Sequence, residues 1–413
     1  MRKSFGFYSR AAFLLMAFCL ALGCSGGAPE AEPSANAAPV AAPVNALPYY
    51  LDLTGTPYEI GLEHGRRLKL QVHQAIDLWK YRLSKVYSVD PDTLIALFLA
   101  RTDYLSAIRE YTPDLLEEVK GIAEGAEMDF NSVLAFQYLD ETGLNSRDLL
   151  QDKCSGLGVD RRGDTPAMMA QNMDLEGFRN GYQTVLRIHR PGGLEVMSFT
   201  CAGLIATNGL NNRGVGVCVN ALTQLDHKLT GLPVAFVIRG LLDQPDQAAA
   251  VEFLKRVQHA SGQNYIIGGP DSILSFECSP AGPVEYSPER RDGAIAHTNH
   301  PFACRDFSPA YRKALAENDS SHTRDIDSEI RFQTVTGMLE QRAGQVDVDW
   351  IKAILSSTVN PEHPVSCKYK GSLHNHTFGS TIMVLGPEPE LYVSPGPPTV
   401  DSYVRFRFTA DGR

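Results

Sequence analysis

Lys153-Cys154-Ser155-Gly156-Leu157-Gly158-Val159 sets a cysteine among small residues at the start of a β-rich region, directly after a long helical segment. A cut before Cys154 would give this residue its own base. A thiol needs a partner to take its proton, and a freed α-amine, with a pKa of ~7.7–8, does so near neutral pH. By itself the stretch is more simply read as a buried structural cysteine at a strand start.

On the N-terminal side, 48–152 reads as mostly helical. Val72, Ile76, Trp79, Leu83 and Val86 recur on one face of an amphipathic helix, and Leu115, Val119, Ile122 and Ala126 make a second stripe. A third helix is expected over 129–139, with Asp129 as N-cap. Beyond Cys154 the texture changes to short apolar runs bounded by turn residues, at 167–171, 185–189, 194–199, 215–220, 265–268 and 273–278. Arg190-Pro191-Gly192-Gly193 marks a hairpin between two of them. Helices are expected near 234–242, 247–258, 328–341 and 348–355, and late strands at 381–385 and 391–394. Blocks of strands separated by helices, without strict βαβ alternation, favour an α+β fold of stacked antiparallel sheets covered by helices.

The 413-residue chain has room for a large core or two domains, with ordinary globular composition. Its formal charge of −10 and the lack of any Lys/Arg-rich run argue against nucleic acid as a partner. Residues 1–24 read as an export signal: Arg2, Lys3 and Arg10, an apolar run over 11–22, and a small-residue ending at Gly23-Cys24. The run is shorter than the ~20 residues that span a bilayer. Ala21-Leu22-Gly23-Cys24 resembles a lipoprotein signal, in which Cys24 is lipidated and the protein sits on a bacterial membrane facing the periplasm or the cell surface. Ordinary signal cleavage that discards Cys24 is the alternative. Residues 25–47, rich in Ala and Pro, form an extended tether of up to roughly 70 Å at the polyproline rise. Cys154, Cys201, Cys218, Cys278, Cys304 and Cys367 are irregularly spaced without a CxxC pair, so zinc and redox chemistry are not indicated. No cofactor or metal is expected.

Familiar catalytic patterns fail. The literal GxSxG match at 23–27 sits at the signal cleavage site without a strand before it. There is no phosphate loop, dinucleotide fingerprint or HExxH. The histidine pairs 297/300 and 374/376 lack neighbouring carboxylate or thiolate ligands. What remains is Cys154 followed by amides and one acid. Asp174, twenty residues on, returns beside Cys154 if the chain makes a two-stranded excursion, where a carboxylate would orient an α-ammonium. Asn220 ends the 214–219 strand and Asn299 lies between two histidines. Both are equally at home as turn formers, yet acyl transfer needs neutral donors aimed at an oxyanion.

Taken in order, Lys-Cys-Ser-Gly at 153–156, Gln-Asn-Met-Asp at 171–174, Asn-Arg-Gly-Val-Gly-Val-Cys-Val-Asn at 212–220, His-Thr-Asn-His-Pro at 297–301, and Gly379-Ser380-Thr381 through 394–398 resemble the acyl-CoA:6-aminopenicillanic-acid acyltransferase family of N-terminal nucleophile hydrolases. Gly55 to Gly61 with His64-Gly65, and Gly121 to Ala126, are similar to that family's N-terminal segment. The resemblance implies a four-layer αββα sandwich preceded by a helical segment, made as a precursor that cuts itself between Lys153 and Cys154. The α chain (48–153) and the β chain (154–413) then stay associated. It implies Cys154 as nucleophile, Asp174 as the acid, and Asn299 as an oxyanion donor. Asn220, or the backbone N–H there or at Ala221, is implied as a second polar group, and Ser380 as a late serine near the site. Related amidases carry an arginine a few residues before the acid, where this chain has Met168 to Gln171. The implied activity is hydrolysis or transfer of the acyl group of a small amide. Two alternatives stay open: an uncut hydrolase in which His297 or His300 serves Cys154 as base, and a lipid-anchored binding protein with a structural Cys154.

Overall fold

The computed structural model describes residues 48–141, 153–288, 293–372 and 374–409. The leader, the tether and Cys24 lie outside these residues, as does the segment immediately before Lys153. Fourteen strands are described: β1 (Tyr49–Leu53), β2 (Lys153–Val159), β3 (Met168–Glu176), β4 (Gln183–His189), β5 (Glu195–Cys201), β6 (Asn208–Asn211), β7 (Gly216–Ala221), β8 (Gln263–Gly268), β9 (Ile273–Ser279), β10 (Gly282–Glu285), β11 (Ala294–His297), β12 (Asn375–Val384), β13 (Glu390–Pro395) and β14 (Val404–Arg407). They form an eight-stranded sheet, β1-β4-β5-β6-β7-β8-β9-β10, and a six-stranded sheet, β11-β2-β3-β12-β13-β14.

Six helices precede β2: α1 (Pro57–Arg67), α2 (Lys69–Tyr87), α3 (Pro91–Arg101), α4 (Tyr104–Tyr111), α5 (Pro113–Ala126) and α6 (Phe130–Phe136). After β7 come α7 (Val234–Leu242) and α8 (Gln247–Arg256), which cover the larger sheet. Next are α9 (Pro309–Ala316), α10 (Ser320–Thr323), α11 (Ile326–Gln341) and α12 (Val348–Leu355), the last two covering the smaller sheet. The layers are therefore helix, sheet, sheet, helix. One core fills the space between the sheets and under the N-terminal helices, and a second lies under α11 and α12.

The opening stretch shows why the sheets meet as they do. Leu157 and Val159 turn outward to pack with Ile351 and Ile354 of α12, while the alternate residues turn inward. A Cβ on Gly156 would meet Ile266 at 2.8 Å, and one on Gly158 would meet Ile273 at 2.6 Å. Small residues at those positions let the sheets approach closely. Cys154, on the same face, therefore points between them.

The N-terminal segment is mostly helical, as expected, but opens with a strand that the sequence did not mark. β1 adds to the edge of the larger sheet by pairing parallel to β4, the one parallel pair among the described strands. α6 is capped by Asp129, whose carboxylate accepts the Ser132 N–H at 2.8 Å. It ends at Phe136, short of the expected 139. There the Gln137 amide bonds the Gly203 carbonyl and accepts the Ile205 N–H instead.

α1 and α5 cross at backbone contact through Gly61 and Gly65 on one and Gly121 and Gly125 on the other. A Cβ on Gly61 would sit 1.9 Å from the Glu118 carbonyl oxygen. Gly61→Ala should therefore force the helices apart at a cost of about 3 kcal/mol, the upper end of overpacking penalties. A urea midpoint unchanged from wild type would contradict this contact.

Candidate active site

The site is built where β2 begins. β2 and β3 pair antiparallel with Lys153 opposite Asp174 and Cys154 opposite Met173. Cys154 is buried, 8 % exposed, and lines a cavity of about 50 Å³ between the sheets together with Gln171, Met173, Leu204 and Ile238. Its backbone N–H donates to Asn299 Oδ1 at 2.6 Å. Asn299 is pinned on every side. Its own N–H donates to Ser328 Oγ at 2.7 Å, its carbonyl accepts from Gln224 at 2.9 Å, and its Nδ2 donates to the Ala221 carbonyl at 3.1 Å. One Nδ2 hydrogen remains for a further acceptor.

Asn220 faces the same interior, beside Gly156. Its Nδ2 donates to the His297 carbonyl at 3.4 Å and its Oδ1 accepts from Asn264 at 3.2 Å. Asp174 lies across from Lys153 and turns toward the α11/α12 side, where its Oδ1 accepts the Thr377 hydroxyl at 2.6 Å. Burial raises its carboxyl to about 6, against the charge of Arg331 and the bond from Thr377.

Ser380 is not brought to the face that Cys154 occupies. The β3–β12 register shifts between Thr377 and Gly379, so that Thr377 pairs with Asp174 but Ser380 pairs with Asn172. Asn172 bonds carbonyls of Leu355 and Val365 under α12, and the Ser380 hydroxyl bonds Tyr403 at 2.7 Å. The bulge at Phe378 thus turns the serine outward. A place for it beside the thiol, implied by the family likeness, does not fit this register.

A family scan matches residues 161–388 to acyl-coenzyme A:6-aminopenicillanic acid acyl-transferase, more than half of the chain. The chain belongs to this family. A similar relative is the acyl-coenzyme A:6-aminopenicillanic-acid-acyltransferase 40 kDa form of Emericella nidulans, 26% identical over 65% of this chain and 74% of the relative. Among solved structures, a mutant of conjugated bile acid hydrolase from Clostridium perfringens covers 62% of this chain and 96% of its own at 12% identity, TM-score 0.38. Penicillin V acylase from Agrobacterium tumefaciens covers 62% and 86% at 14% identity, TM-score 0.34.

Within this family member, sequence reading missed Arg331. It sits in the middle of α11, fully buried. Its Nη1 donates to the Cys154 carbonyl at 2.7 Å and to Ser155 Oγ at 3.0 Å, and its Nη2 to Asn299 Oδ1 at 3.1 Å. Asp327, one turn earlier, accepts its Nε at 2.8 Å. Burial would raise the Asp327 carboxyl, but the charges of Arg331 and Lys153 hold it down at about 2. The available sequence signal was the i,i+4 Asp327/Arg331 pair in an otherwise half-apolar helix.

Neither histidine offers itself as base to Cys154. His297 is fully buried, with Nε2 at 2.9 Å from Glu277 Oε1 and Nδ1 at 2.7 Å from the Thr298 carbonyl, so both nitrogens face acceptors. Glu277 also accepts the backbone N–H groups of Phe302, Ala303 and Cys304, which fixes the loop after Asn299. His300 turns Nδ1 to Ser328 Oγ at 2.8 Å and packs on Phe302 and Phe332. Burial and the neighbouring His297 lower it to about 4.

Proposed function

We propose that the protein is an exported, self-processing cysteine amidohydrolase or acyltransferase, with Cys154 as nucleophile and its α-amine as base. The observation that carries this reading is the clamp at the head of β2. The Cys154 nitrogen rests on Asn299 Oδ1, its carbonyl on Arg331, and its side chain lines an interior cavity. A structural cysteine needs none of these.

In maturation the Cys154 sulfur attacks the Lys153 carbonyl carbon, the C–N bond breaks with a proton going to nitrogen, and water hydrolyses the thioester. The Lys153 carboxylate and the Cys154 thiol with a free α-amine are released. In turnover the α-amine takes the thiol proton and sulfur attacks the substrate carbonyl. The oxyanion rests on the remaining Asn299 Nδ2 hydrogen and a backbone N–H at Asn220 or Ala221. The leaving amine departs protonated and water or another amine releases the acyl group. Asp174 steadies the new ammonium from across the strand pair. Export, read from residues 1–24, favours water as acceptor over transfer from acyl-CoA, and Cys24 would hold the enzyme to a membrane.

The two chains would remain together after the cut. β1 is a strand of the larger sheet, and Gln137 and Glu141 of the first chain bond Gly203 and Val234 of the second. A panel of N-acyl nitroanilides tests the activity: amine release should be accompanied by an acyl mass on the Cys154 peptide after acid quench. Undiminished turnover after alkylation of Cys154 would contradict it.

The Asp174 shift gives a second test. Its folded pKa of about 6 lies above the ordinary ~3.9, so its stabilising contribution is full below pH ~4 and is lost as pH rises through about 6. Asp174→Asn should therefore be more stable than wild type at pH 8, by up to roughly 3 kcal/mol at ~1.4 kcal/mol per unit, yet turn over more slowly. Equal stability at pH 8 would contradict the burial of an ionised carboxylate here.

A further inference from the structure

The bond between Lys153 and Cys154 is held from both sides by one carboxylate. Asp327 Oδ1 accepts the Lys153 ammonium at 3.0 Å, on the acyl side of that bond. Asp327 Oδ2 accepts Arg331 Nε at 2.8 Å, and the same guanidinium grips the Cys154 carbonyl and Asn299 on the amine side. His363 Nδ1 lies 3.0 Å from Asp327 Oδ1 and fixes its rotamer from the loop after α12. The Asp327 side chain is 15% exposed and that of Lys153 31%, so the ion pair is only partly open to water and screened less than a surface pair.

Resting on the self-cleavage reading above, we propose that Asp327 is the positioning residue of maturation. It anchors the Lys153 side chain so that the scissile carbonyl stays within reach of the Cys154 sulfur. Both halves of the bond are referred to a single rigid group on α11, which is what an intramolecular attack needs, because small displacements of the reacting atoms cost large factors in rate. The two attachments differ in fate. Hydrolysis frees Lys153 from its covalent link to Cys154, while Oδ2 and Arg331 stay to hold the mature cysteine. Lys153 thus serves the precursor and Arg331 serves both states. The role needs a cation of lysine's reach, and other residues before the cut would leave the acyl half free to wander.

The test follows the full chain made by cell-free translation, with conversion to two fragments timed on denaturing gels. Wild type and Lys153→Arg should convert at similar rates. Lys153→Met and Asp327→Asn should convert ~10-fold more slowly or worse, the scale expected on losing a hydrogen bond between charged groups. Thermal melting of each uncut chain separates slow cleavage from misfolding, and the Met/Arg comparison at Lys153 stands even where Asp327→Asn unfolds the Arg331 network. Cleavage of Lys153→Met at the wild-type rate would overturn the role of Asp327 while leaving self-cleavage intact. A wild-type chain that never cuts would overturn both.

Discussion

Cys154→Ala is expected to give a folded chain that neither cuts nor turns over amides, with activity down by on the order of 10⁴-fold or more, the scale on which loss of a nucleophile shows in other covalent enzymes. The fold should tolerate the change. Cys154 is 8 % exposed and contributes a single small side chain to a cavity wall, while its backbone N–H and carbonyl, which make the bonds to Asn299 and Arg331, are untouched by the substitution. Melting temperature and activity should therefore separate: the first close to wild type, the second abolished. Normal turnover by the variant would remove Cys154 from the chemistry and return it to a structural role.

The second large effect concerns stability. Glu118 of α5 and Arg239 of α7 are both fully buried and pair fork to fork at 2.9 and 3.0 Å, with a further Arg239 bond to the Ile205 carbonyl at 3.1 Å. Glu118→Ala leaves the guanidinium charge buried without its partner, at a cost of about 3–5 kcal/mol. A second carboxylate, that of Asp243, also acts on Arg239, but it is already bonded to Arg190 at 3.1 Å and offsets only part of the loss. A double replacement, Glu118→Leu with Arg239→Met, should recover most of the loss, because the desolvation of two charges disappears with their attraction. After a cut before Cys154 the two residues would belong to different chains, so Glu118→Ala should also loosen their association. A shift below ~1 kcal/mol in urea unfolding would contradict a dry ion pair at this position.

Much of the fold was legible because its signals are local. The small residues of 153–159 mark the start of the β-rich region, whereas the glycines at 61, 65, 121 and 125, which carried only a family likeness, are seen in the structure to be where α1 and α5 touch. The hairpin at 190–193 is where β4 turns into β5. What was not legible depends on partners far away in sequence. β1 reads as the margin of a helical segment until β4 is placed beside it. Nothing near Arg331 in the sequence shows that its guanidinium ends on the Cys154 carbonyl of β2. Ser380 came only from the family likeness, and its direction depends on one extra residue at the Phe378 bulge, which reverses which side chains of β12 face inward and which no composition signal marks.

The most direct measurement is the mass and N-terminal sequence of the purified protein. Self-activation requires two co-purifying fragments, one of them beginning Cys154-Ser155-Gly156. A single active chain running unbroken through Lys153 and Cys154 would contradict it, and would leave the Asn299 and Arg331 clamp without the amine it is proposed to hold.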